Sequence, residues 1–101
     1  MTKEPLKKFD GGGKLEYTLD DDKKITSWEL RLTVVMVFRD GITESETVEV
    51  SDLETLDMII DDVRAGTYKL NGIYSINYEN YMYTRIDGVS LIDFIKENLK
   101  G

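Results

Sequence analysis

The chain has 101 residues, with 13 Lys plus Arg against 20 Asp plus Glu, and contains neither His nor Cys. At roughly 150 residues per domain this length holds a single domain, and such a domain buries on the order of 60–70% of its unfolded surface. The missing residue types exclude disulfides, thiolate chemistry and imidazole acid–base or metal chemistry, and the net charge of −7 argues against unaided binding to nucleic acid or anionic lipid.

Residues 1–13 read as a flexible tail ahead of one domain over 14–101, because Pro5, Lys7-Lys8 and Gly11-Gly12-Gly13 favour an unstructured linker. The glycine run before Lys14 lacks the G-x-x-x-x-G-K-[ST] spacing of a phosphate loop and has no strand before it. The N-terminus also lacks the roughly 7–15-residue apolar centre of a signal peptide. No apolar run nears the ~18 residues a membrane span needs. A cytoplasmic protein that does not engage membranes is the expectation.

Leu15, Tyr17 and Leu19 alternate with Glu16 and Thr18, the period of a half-buried strand. Asp20-Asp21-Asp22-Lys23-Lys24 follows as a solvated turn. It begins like a calcium loop, but Lys24 stands at the fifth position and no Gly follows. No metal or cofactor is expected anywhere in the chain.

Ile25 to Arg39 is the most strand-like segment. Trp28, Leu30, Leu32, Val34, Met36 and Phe38 form a continuous apolar face, while the opposite face becomes apolar only at Val35 and Val37. Asp40-Gly41 predicts a two-residue hairpin turn into a strand from Ile42 to Val50. That turn sets Val37 opposite Glu44 and Val35 opposite Glu46. Ser51 with Glu54 then suggests a capping box for a helix whose Leu53, Leu56, Ile59, Ile60 and Val63 share one face. Arg64 and Gly66 suit its end.

Tyr68 to Tyr78 and Tyr81 to Ile86 read as two further strands, with Asn71-Gly72 as either a tight turn or a bulge. Ser90 and Asp93 suggest the start of a last helix carrying Leu91, Ile92, Phe94, Ile95 and Leu99, with Gly101 as its stop. The expected fold class is α+β. An antiparallel sheet of about five strands, in the order β-β-β-α-β-β-α, has two helices packed on one face.

Two surfaces emerge from this pattern. Residues 1–24 carry six Lys and six acids, so the whole net charge belongs to the remainder. Asp40 to Asp62 alone holds nine acids in 23 residues and no Lys or Arg. Glu54, Asp57 and Asp61 fall on one helical stripe, and Glu44 and Glu46 share a strand face about 6–7 Å apart. That spacing resembles successive phosphates on a nucleic-acid strand. The same acids also favour a helix N-terminus and keep a surface soluble. The second surface is aromatic: a hairpin centred on Glu79-Asn80 would gather Tyr74, Tyr78, Tyr81 and Tyr83 on one face. Tyrosine supplies large contact area at low rotamer cost, and equally serves to cover a sheet.

The functional expectation is a non-enzymatic acidic binding protein whose partner is a protein with a basic, nucleic-acid-handling surface. Small acidic domains occur among phage and mobile-element inhibitors of restriction or CRISPR nucleases, a compositional analogy only. The alternatives are an assembly subunit self-associating, as a homo-oligomer, through the tyrosine face, and an immunity protein that neutralises a toxin.

Overall fold

A strand of 14 residues organises the protein. At about 3.3 Å per residue it spans roughly 45 Å, which accounts for the elongated dimensions of 53 × 22 × 19 Å. The computed structural model describes residues 5–100. In chain order the elements are β1 (Leu6–Asp10), β2 (Gly13–Leu19), β3 (Ile25–Phe38), β4 (Thr43–Val50), α1 (Leu53–Ala65), β5 (Tyr81–Asp87) and α2 (Val89–Asn98). The protein is α+β, with a five-stranded antiparallel sheet and two helices.

The long central strand serves two neighbours on one of its edges. β2 pairs with its first half, from Ile25 to Arg31, and β5 with its second half, from Thr33 to Phe38. β4 pairs from Leu30 to Val37 along the other edge, and β1 extends the sheet beyond β2. Where β2 begins and β5 has ended, the backbones nearly touch. A Cβ placed on Gly13 would sit 2.6 Å from the Gly88 Cα, so glycine is required at the junction.

From Leu30 onward the even-numbered side chains of β3 form the core, as the alternation predicts. Leu30, Leu32, Val34, Met36 and Phe38 are all buried. Leu30 and Leu32 pack with Leu15 and Val50 beneath Leu56 of α1 and Leu91, Ile92 and Ile95 of α2. Val34, Met36 and Phe38 are covered further along by Leu70, Tyr68, Tyr74 and Tyr81. Both helices therefore lie over one face. The opposite face carries charged and hydroxyl residues, Val35 being its one buried hydrophobic residue among those described.

Several local expectations are corrected. The tail assigned to residues 1–13 includes β1. Gly11-Gly12 closes a two-residue hairpin in which only Gly11 has positive φ, 56°, as a type II′ turn requires. Lys8 then stacks over the Phe94 ring at 4.9 Å, and Ser90 donates a hydrogen bond to Asp10, which ties β1 to α2. Residues 1–4 of that tail, and the stop at Gly101, lie outside the described residues. The strand expected from Tyr68 to Tyr78 is a succession of turns. Asn71 and Gly72 both take positive φ, 53° and 74°, making the tight turn rather than the bulge. Both edges of the second half of β3 are already occupied, so this segment lies across the core face instead.

The caps shift as well. Asp52, not Ser51, caps α1 by accepting a hydrogen bond from the Thr55 N–H at 2.8 Å. Gly88, at φ 92°, stands at the N-cap of α2 without a side-chain bond, and Ser90 serves β1 instead. Gly66 ends α1 in the left-handed conformation, as expected.

Candidate functional site

The turn between β3 and β4 decides where the first acids point. Val37 pairs with Thr43 and Met36 with Glu44, so Arg39, Asp40 and Gly41 make a three-residue loop. Among these three only Gly41 has positive φ, at 87°, whereas a two-residue Asp-Gly turn of type I′ needs it at both positions. The Ile42 N–H donates to the Asp40 carboxylate at 3.0 Å and steadies this loop. A slip of one residue reverses every side chain of the returning strand. Glu44 and Glu46 consequently lie on the core side, paired with Met36 and Val34, and not on the face carrying Val35 and Val37.

Both are half-buried, and both meet tyrosines of the segment that follows α1. Tyr68 donates its hydroxyl hydrogen to Glu46. Burial, and then that carboxylate, push the Tyr68 phenol well above its ordinary range. The Glu44 carboxylate is the main cause of the upward shift at Tyr74. This pair does not stand out in solvent as a phosphate-like ladder.

The helical acids are different. Glu54, Asp57 and Asp61 are all exposed on α1. Asp57 pairs with Lys96 of α2 at 3.2 Å, and Glu49 with Arg31 across the sheet at 2.8 Å. These are two ion pairs against nine acids in the segment. Both are open to solvent and worth about 0–1 kcal/mol each. Among the described residues, Glu54 and Asp61 have no ionic or hydrogen-bonding partner.

The four tyrosines of the expected hairpin do not share a face. Tyr83 pairs with Val37 on the open side of the sheet, whereas Tyr81 pairs with Phe38 and packs into the core. Its hydroxyl accepts a bond from Thr84 at 3.1 Å. Tyr74 and Tyr78 instead gather around Phe38. The two tyrosine rings are 4.7 Å apart, edge to face, and each lies within 6 Å of the Phe38 ring, at 5.8 and 5.7 Å.

These three aromatic residues and the acidic residues Asp40, Glu44 and Glu79 line one cleft of about 470 Å³. Among the described residues no Lys or Arg lines it. The structure thus joins one end of the acidic run to two of the tyrosines, which the sequence presents as separate surfaces. Phe38, Asp40 and Glu79 are the members that sequence reasoning missed. Reading Asp40-Gly41 as the end of a three-residue loop would have found the first two, since that register turns Glu44 toward Phe38.

Among the described residues no group of His, Cys, Asp or Glu is arranged to hold a metal ion, and no helix is long and apolar enough to cross a membrane. Comparisons with protein-family models, with curated proteins and with solved structures give no match to this chain.

Proposed function

We propose that the protein is a non-enzymatic binding protein that inhibits a nucleic-acid-handling partner by occupying its basic surface. The observation that carries this reading is the acidic band running from Asp40 through β4 and along α1. It contains no cation of its own, and its helical acids are exposed. Such a concentration of acids along one stretch of chain gives the surface around it a negative field. It accelerates encounter with a positive groove and repels like-charged surfaces.

The exposed face of α1 makes the first electrostatic contact, because Glu54 and Asp61 have no ionic or hydrogen-bonding partner among the described residues. Glu44 and Glu46 contribute field from the core side, Glu46 held there by Tyr68. An immunity protein facing a basic toxin would use the same surface, and the identity of the partner separates the two. Self-association through one tyrosine face loses its premise, since Tyr81 and Tyr83 lie on opposite sides of the sheet.

The test compares capture by the wild-type protein with capture by the double variant Glu54→Lys, Asp61→Lys. Both positions are exposed, so the substitutions leave the fold intact. The wild type retains a nucleic-acid-handling protein at low salt and releases it as salt shortens the Debye length below about 10 Å. The double variant retains none. Equal retention by both proteins would remove the band from the interface.

A further inference from the structure

The cleft beside the β3–β4 turn combines two features that suit one kind of ligand. It is lined by the rings of Tyr74 and Tyr78, 4.7 Å apart, which sit over the buried Phe38 ring at 5.8 and 5.7 Å between centroids. Three acidic residues, Asp40, Glu44 and Glu79, line it as well. Aromatic faces attract a cation through the ring quadrupole, and a carboxylate beside them adds charge-assisted hydrogen bonding. A neutral apolar group would gain from the rings alone and would desolvate three acids without compensation. Anions are repelled.

We infer that this cleft is a receptor for a single organic cation, the guanidinium of an arginine side chain projecting from the partner's basic surface. Arginine fits better than a compact ammonium because its planar head stacks on rings while its N–H fork meets a carboxylate. The inference rests on the proposed docking to a basic partner and names the side chain that anchors it. Tyr78 is 44% exposed at the mouth, so its ring is reachable without opening the core. Glu44 and Tyr74 both line the cleft, so one acid stands beside a ring. The chain's own nearest cation in sequence is Arg39, on the turn itself. It does not line the cleft.

The experiment uses small probes, so that it reads the cleft without any partner. The intact protein is titrated with Nα-acetyl-arginine amide, and separately with the neutral citrulline analogue at matched ionic strength. The ring-proton resonances of Phe38, Tyr74 and Tyr78 are followed. Saturable shifts of those rings are expected with arginine, and binding about tenfold weaker with citrulline, since one ionic hydrogen bond is worth that factor. Glu44→Gln, which keeps size and removes charge, should weaken arginine to the same degree. Arg39→Ala should leave the titration unchanged.

Equal shifts with both probes, or shifts that avoid these rings, overturn the inference. Tightening on Arg39→Ala also overturns it, by assigning the cleft to the chain's own arginine. Loss of capture on the α1 charge reversal, with no arginine response, would leave the docking reading standing and remove the cleft. An arginine response with no effect of charge reversal on capture would do the opposite.

Discussion

Tyr68 donates its hydroxyl hydrogen to Glu46, joining the turn segment after α1 to the edge strand 22 residues earlier. The bond explains how an acid survives on the core side of β4. It also secures the loop that covers Val34, Met36 and Phe38.

Removing that hydroxyl gives the first prediction. Tyr68→Phe leaves a half-buried carboxylate without its donor and should cost about 1 kcal/mol at neutral pH. The pH dependence follows from the raised phenol pKa. Stability from this bond is complete below the unfolded value of about 10 and is lost as pH rises toward the folded one. Urea denaturation at pH 7 and at about pH 10.5 should therefore show a smaller gap between wild type and variant at the higher pH. A gap that is the same at both would show that Tyr68 does not titrate with folding.

The Gly13–Gly88 junction gives the second. Gly13→Ala forces a Cβ to 2.6 Å from the Gly88 backbone, which no side-chain rotation relieves. The strand ends must separate, at a cost of about 1–3 kcal/mol. Gly11→Ala provides the comparison, because space there is open and only its positive φ is strained. Thermal unfolding should rank Gly13→Ala as the more destabilised. The reverse order would place the two strand ends further apart than the structure has them.

Acid behaviour supplies the third. The N–H groups of Lys24 and Asp22 donate to Asp20, which holds its carboxyl below the ordinary aspartate range. A depressed carboxylate stabilises the fold above its unfolded pKa, and that contribution fades as pH falls through the folded value. Asp20→Ala should lower stability at pH 7, with the difference shrinking on descent below about pH 4. A constant difference down the acid limb would deny the carboxylate this role.

How much of this was legible in the chain depended on whether a signal was local. The alternation from Trp28 to Phe38 and the apolar stripe of α1 are periodic over many residues, and both elements formed where expected. Turn register was less legible, because Asp40-Gly41 fits a two-residue turn and also the last two positions of a three-residue loop. That single ambiguity reversed Glu44 and Glu46. Gly11-Gly12-Gly13 has the composition of a linker, yet it makes a hairpin turn and a backbone contact with residue 88, a distant relationship that no local pattern encodes. The tyrosines of 68–78 have strand propensity, but whether a strand forms depends on a free sheet edge, and β4 and β5 occupy both edges of that half of β3.

The measurement that bears most directly on the acidic band is displacement by nucleic acid. The wild-type protein is immobilised at low salt, loaded with the partner it retains, and washed with increasing double-stranded DNA. If the band occupies the partner's nucleic-acid surface, the DNA releases the partner in proportion to its concentration. A partner that stays bound in excess DNA, while itself binding that DNA, would contradict the account.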